Sequence, residues 1–159
     1  VLNHGRYDRI DAKELDLGHL QRTMSTNFEG AFLIWDATKP HLTGNARICV
    51  IGSQLGTRGS PHGADYAASK AALSIWARSL AQSLAPEGKR VNVIAPGFVD
   101  TDILSGDSPE KRASREKEVP LKRIGTPEDI ADVVSFLVGD KSSYITGAVV
   151  HVNGGLYLP

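Results

Sequence analysis

Residues 46–97 read "ARICVIGSQLGTRGSPHGADYAASKAALSIWARSLAQSLAPEGKRVNVIAPG", and their pattern decides the fold. "ARICVI" (46–51) is a short apolar run rich in β-branched residues, which predicts a buried strand. "GSQLGTRGSPHG" is glycine-rich and predicts a loop. From about Ala64 to Ala85, the residues Ala68, Ala72, Ile75, Trp76, Ser79, Leu80, Ser83 and Leu84 recur with helical periodicity. They predict a helix whose apolar stripe they form, ended by Gly88 in "PEG". "RVNVIA" (90–95) predicts a second buried strand, halted by Pro96-Gly97.

The same alternation continues on both sides. Upstream, Leu17, Leu20, Met24, Phe28, Ala31 and Trp35 mark a helix that Asn27 and Gly30 interrupt and "KPHLTGN" ends, after polar, turn-like residues 1–15. Downstream, residues 98–120 predict a loop with a short helical piece starting at Ser108-Pro109-Glu110. "TPEDIADVVSFLV" predicts a helix that Thr126 caps, with Asp129 at a capping-box position. "AVVHV" (148–152) is the third strand. Short strands alternating with helices imply right-handed crossovers and a parallel sheet, hence an α/β layered fold in a single domain, residues 1–159. Ligands of such sheets collect beyond the carboxyl ends of the strands, here Gly52-Ser53, Pro96-Gly97 and Asn153-Gly154.

Composition narrows the function classes. Lys+Arg and Asp+Glu both number 18, so no basic field attracts nucleic acid or anionic lipid. The run "SPEKRASREKE" mixes both signs and reads as a solvated surface segment. No apolar run approaches the ~20 residues that cross a bilayer. A lone cysteine, Cys49, cannot form an internal disulfide; it reads as a buried core thiol and favours a reducing, cytoplasmic compartment. The five histidines have no metal-ligand spacing. His62, in the loop before the central helix, either faces a ligand or is a solvated loop residue.

Tyr66 and Lys70 stand one helical turn apart, so their side chains share a face. An ammonium beside a phenol favours the phenolate, which predicts a lowered Tyr66 pKa and a general acid/base. Ser53, on the loop entering this helix, can hydrogen-bond the same substrate oxygen. The trio suits proton exchange with an alcohol or carbonyl. Acyl transfer is disfavoured, since no histidine adjoins Ser53 and no Gly-x-Ser-x-Gly elbow surrounds it. Tyr and Lys four apart also occur as plain surface pairs, and the loop serine is what raises this pair above that reading.

At these residues the chain resembles the short-chain dehydrogenase/reductase family. "YAASK" matches its Tyr-x-x-x-Lys motif, "IGSQLG" its serine segment and "TNFEGAF" its asparagine segment. "RVNVIAPGFVDTD" matches the strand and turn that face the nicotinamide, and "PLKRIGTPEDIADVVSFLVGDKSSYITGAVVHVNGG" the C-terminal block. The resemblance implies a Rossmann-like doubly wound parallel sheet and hydride transfer between NAD or NADP and a small alcohol or ketone. It implies that Tyr66 exchanges the substrate proton and that Lys70 holds the nicotinamide ribose and lowers the tyrosine pKa. Ser53 would polarise the substrate oxygen, and Asn27 would hold a water linking Lys70 to solvent. Pro96, Gly97, Val99 and Thr101 would meet the cofactor.

The family opens with a Gly-x-x-x-Gly-x-Gly turn that binds pyrophosphate at a helix N-terminus. Gly52, Gly56 and Gly59 have the wrong spacing and follow the wrong strand. The family's Asn-Asn-Ala-Gly is expected immediately before Val1. The chain thus reads as the catalytic half, strands five to seven with their helices, starting just after the fourth strand. Cut there, the strand at 46–51 would expose an apolar edge, so residues 1–159 alone are expected not to bind NAD(H) or NADP(H) as a stable monomer. The alternative function is a non-catalytic assembly or scaffold module. A homodimer or homotetramer is expected, from small residues on several sides of the central helix (Ala67, Ala71, Ser74, Ala77, Ala81) and from the resemblance. Residues 98–120 read as a lid that sets substrate choice, with Phe98, Ile103 and Leu104 as candidate lining.

Overall fold

A computed structural model describes all residues 1–159. Three strands, β1 (Arg47–Ile51), β2 (Arg90–Pro96) and β3 (Val149–Val152), form a parallel sheet in the order β1-β2-β3. Ile51 pairs with Ile94, and Pro96 with Val152, so the carboxyl ends of all three strands emerge on one side.

Both faces of the sheet are covered. Side chains alternate along a strand, so Val50, Val91 and Val93 face one layer while Cys49 and Ile94 face the other. The first layer is α4 (Ala64–Leu84), which presents Leu73, Ala77, Ala81 and Leu84 to the sheet. The second is α6 (Pro127–Val138), anchored by Leu137. Each fully buried Leu, Ile or Val contributes roughly 1.5–3 kcal/mol. Cys49 sits in the second core, where burial raises its thiol pKa.

Only half of the stripe read for α4 faces inward: Leu84 is in the core and Trp76 and Leu80 pack against it. Ala68, Ile75, Ser79 and Ser83 are exposed, while the predicted partner-facing Ala67, Ala77 and Ala81 lie in the chain's own core. An alanine-rich helix looks similar on every side. Size decides instead: alanines let the helix approach the sheet closely, and Trp76 turns sideways to meet Phe28 and Trp35 edge-on, at 6.1 and 6.3 Å between ring centroids.

The N-terminal helix is one rod in three parts, α1 (Leu17–Met24), a π turn (Ser25–Glu29) and α2 (Gly30–Thr38). Asp16 caps it by accepting from the His19 N–H at 2.7 Å. The Gly30 N–H reaches back five residues to the Ser25 carbonyl. That wider turn rotates Asn27 to full burial against α4, which is the interruption visible in the sequence.

Three local expectations change. The glycine-rich loop contains one helical turn, α3 (Leu55–Arg58), whose start is fixed by the Leu55 N–H donating to Ser53 Oγ at 3.1 Å. The segment after Pro96-Gly97 holds a full helix, α5 (Pro109–Glu118), capped by Ser108, whose side chain accepts from the Lys111 N–H. Its two ends are stitched together: the Gly125 N–H donates to Phe98 O and the Asp100 N–H to Gly125 O, both at 2.9 Å. Residues 98–125 are therefore a closed excursion from the sheet. Finally, Leu2 pairs with Val50 on the outer edge of β1, donating to Cys49 O and accepting from the Ile51 N–H, each at 2.9 Å. Asn3-His4-Gly5 then turns beside Lys70. The position expected just before Val1 is thus filled by residues 2–5, and the β1 edge is bare only beyond that bridge.

Candidate active site

A cleft of about 710 Å³ opens at the carboxyl ends of the strands. Seven of the eight residues singled out from the sequence line it: Ser53, Tyr66, Lys70, Pro96, Gly97, Val99 and Thr101. Asn27 lies outside its wall, buried between the two long helices. Phe98, Ile103 and Leu104 also line it, as the lid reading expected. His62 does not. It faces Asp11, Nδ1 to Oδ2 at 3.4 Å.

Tyr66 is in the first turn of α4, after Gly63, whose φ of +118° suits glycine. A Cβ on Gly63 would stand 2.4 Å from Tyr7 Cε2, so that glycine also makes room for Tyr7. The Tyr7 ring leans on Tyr66 at 4.8 Å between centroids and its hydroxyl donates to His62 O at 2.7 Å. Tyr7 carries no signal in the sequence, because its contact with Tyr66 spans 59 positions of chain with no local pattern.

The helix carrying Tyr66 is held in register by buried polar contacts. The Thr23 hydroxyl donates to Asp65 Oδ2 at 2.6 Å. Asn27 Nδ2 donates to Ser69 Oγ at 2.9 Å, and Ser69 Oγ donates to the Tyr66 carbonyl at 2.8 Å. Asn27 Oδ1 also accepts from the Arg6 N–H at 2.6 Å, and Nδ2 donates to Arg6 O. None of these direct contacts joins Asn27 to Lys70. A Cβ on Gly5 would stand 3.1 Å from Lys70 Nζ and 3.6 Å from Asn27 Oδ1, so this bare backbone lies between them.

The electrostatics also correct an expectation. Burial pushes the Tyr66 phenol above its usual value, and the nearby Ser53 hydroxyl pulls the other way. Lys70 lies 5.7 Å from the ring centroid, over the face rather than at the hydroxyl, so it does not bring the phenol down. Its own ammonium is desolvated and lowered to about 8. Nζ donates to Ile51 O at 2.9 Å and, more weakly, to His4 O at 3.5 Å. An ammonium has three N–H donors, so one remains free beside a cleft that Gly5 leaves open.

That free donor and the open backbone at Gly5 fit the nicotinamide end of a dinucleotide. A Cβ on Gly97 would meet Asn153 Cα at 2.8 Å, so this close crossing of backbones admits only glycine. The wall beyond is apolar (Val99, Ile130, Val134), with the Arg115 guanidinium 4.5 Å over the Phe98 ring and paired to Asp107. No helix is long and apolar enough to cross a membrane.

A sequence model described as enoyl-(acyl carrier protein) reductase matches residues 1–157. The 3-oxoacyl-[acyl-carrier-protein] reductase of Salmonella typhimurium is 47% identical over 112 residues, 70% of this chain and 46% of that protein. The enzyme of the same name from Aquifex aeolicus is 37% identical over 139 residues, 86% of this chain and 56% of that protein. The chain therefore spans about half the length of these curated relatives. Among solved structures, a short-chain dehydrogenase/reductase from Brucella melitensis superposes with a TM-score of 0.92 at 33% identity, covering 98% of this chain and 63% of that one.

Proposed function

The chain belongs to the short-chain dehydrogenase/reductase family, a family of NAD(P)-dependent oxidoreductases, and from that premise we propose that it carries the catalytic face of an enzyme moving hydride between NAD or NADP and a small alcohol or ketone. The observation that supports this reading is the meeting of Ser53, Tyr66 and Lys70 in one cleft at the carboxyl ends of the strands. The nicotinamide, when bound, supplies or accepts the hydride. For reduction, the Tyr66 phenol, kept protonated by burial, gives its proton to the substrate oxygen. Ser53 donates a hydrogen bond to that oxygen and holds it near the phenol. Lys70, charged below about pH 8, offers its free N–H to the cofactor ribose and stabilises negative charge developing on the phenol. Asn27 acts through Ser69 on the Tyr66 backbone and is a positioning residue. Pro96, Gly97, Val99 and Thr101 form the wall against the nicotinamide.

The relatives' names make a 3-oxoacyl group the first ketone to test. The protein also assembles as a homodimer or homotetramer in this proposal. Its support is now the outward face of the long helices, where Phe32, Leu33, Ile34 and Ile75 are exposed. Light scattering at micromolar concentration checks the assembly. Fluorescence titration with NADH and NADPH, then turnover with simple ketones, checks the chemistry. In a chain that also carries a nucleotide-binding half, failure to bind either cofactor and to reduce any carbonyl overturns the catalytic reading.

A further inference from the structure

Gln54 follows Ser53 in the chain, lines the same cleft and is 2% exposed. Its N–H is spent on Pro96 O at 3.1 Å, and its side chain runs under the Pro96-Gly97 turn to Asn153, where Asn153 Nδ2 donates to Gln54 Oε1 at 3.3 Å. The orientation of both amides follows from backbone partners that cannot be exchanged. Asn153 Oδ1 accepts from the Gly155 N–H at 3.0 Å, and Asn153 Nδ2 donates to Tyr157 O at 2.7 Å. Turning Asn153 over would set donor against donor and acceptor against acceptor. The atom of Gln54 that meets Nδ2 must then be the oxygen. The Gln54 Nε2, with two N–H donors, is left with no hydrogen bond inside the protein.

That donor is not sealed in the interior, and the cleft that Gln54 lines is where a partner has room. We infer that the Gln54 side-chain amide is a specificity-determining contact for the substrate, donating to an oxygen acceptor carried next to the reacting carbonyl. Lys70 turns toward Ile51 and His4, on the Leu2 edge of β1. Gln54 turns the opposite way, across β2 to Asn153 beyond β3. Gln54 therefore reaches away from the Lys70 end of the cleft, where the cofactor ribose would bind. An ester, thioester or hydroxyl oxygen close to the ketone satisfies the amide. A plain alkyl ketone leaves it bare, and sites built to hydrogen-bond a substrate group reject analogues lacking it.

This inference deepens the proposed hydride-transfer site and rests on it for the identity of the ligand. The test uses the protein labelled with [15N]glutamine and three probes: ethyl acetoacetate, hydroxyacetone and 2-pentanone. The Gln54 side-chain amide signal is assigned by its loss in Gln54→Met, or in Gln54→Asn if the first variant folds poorly. A shift with ethyl acetoacetate and hydroxyacetone but not with 2-pentanone supports a general oxygen acceptor; a shift with ethyl acetoacetate alone narrows it to an ester or thioester carbonyl. No shift with any probe, or equal shifts with all three, overturns the inference. Where the protein turns the probes over, Gln54→Met should lower the preference for ethyl acetoacetate over 2-pentanone about tenfold in kcat/KM, and an unchanged preference overturns it as well. A chain that also carries a nucleotide-binding half yet reduces none of the probes removes the hydride-transfer reading, while the amide signal still decides on Gln54.

Discussion

Two cations are buried in this protein, at opposite ends of the sheet, and they are treated differently. Arg90 begins β2 at the amino end and is 9% exposed; Lys70 lies near the carboxyl ends and is 3% exposed. The Arg90 guanidinium meets Leu137 O, Ser142 O, Ser142 Oγ and Ile145 O through Nη1, and Gly139 O through Nη2. It ties the turn after α6 to the sheet. Lys70 has one good carbonyl partner and one long one. Burial is comparable, but satisfaction is not. A cation saturated by the backbone is architecture. A desolvated cation with a spare donor beside a cleft is available for chemistry, and the fold bears its cost.

The comparison can be sharpened by removing groups one at a time. The largest expected effect is at the active end. In a chain that also carries a nucleotide-binding half, Tyr66→Phe should lower turnover by roughly 10²–10⁴-fold while leaving cofactor binding and the thermal midpoint nearly unchanged; steady-state kinetics beside a melting curve checks both. An active Tyr66→Phe enzyme would remove the phenol from the mechanism.

At the other end, Arg90→Met should act on stability alone. It strips the carbonyls of Leu137, Gly139, Ser142 and Ile145 of a shared partner, which should cost about 3 kcal/mol or more in urea denaturation. The molecules that remain folded should bind ligands normally.

Lys70→Met reverses that pattern. At pH 7 it should change stability by less than about 1 kcal/mol, because the lost hydrogen bond is offset by relief of a desolvated charge. The pH dependence carries the proof. The folded ammonium titrates near 8 and the unfolded one at its ordinary value above 10, so between those values the unfolded chain holds more protons. Wild-type stability should therefore rise against the variant from pH 8 to 10.5, by up to about 3 kcal/mol. A gap that stays flat with pH would mean that Lys70 is not desolvated.

The smallest effect belongs to a surface feature at the start of α6. Thr126 and Asp129 form a reciprocal cap on α6, and Arg123 pairs with Asp129, holding its carboxyl well below the usual carboxylate range. Thr126→Ala should cost about 1 kcal/mol with no change in ligand binding. This sets the scale for a loss that touches neither buried cation.

Much of this was legible in the chain. The three strands fall within a residue or two of their predicted spans, since β-branched runs bounded by Gly and Pro leave little choice. Ser53, Tyr66 and Lys70 were legible because their positions follow from a strand end and a helical turn. Asn27 was visible only as an interruption and through the family resemblance. The π turn that buries it depends on packing against α4. The face of α4 was partly misread because its alanines carry no directional signal.

The sequence by itself determined the alternation of elements, the parallel sheet and the family, because these rest on local periodicity and on short motifs with fixed spacing. Tertiary structure decided what each buried polar group does, because that depends on partners far along the chain. Leu2 on the edge of β1, Tyr7 against Tyr66, and Asn153 turning the Gln54 amide toward the cleft each join residues separated by tens of positions. It also decided the sign of the tyrosine shift. Four residues of spacing put Lys70 on the Tyr66 face of the helix, but only the packed structure shows that burial outweighs the ammonium, whose nearest good partner is the Ile51 carbonyl.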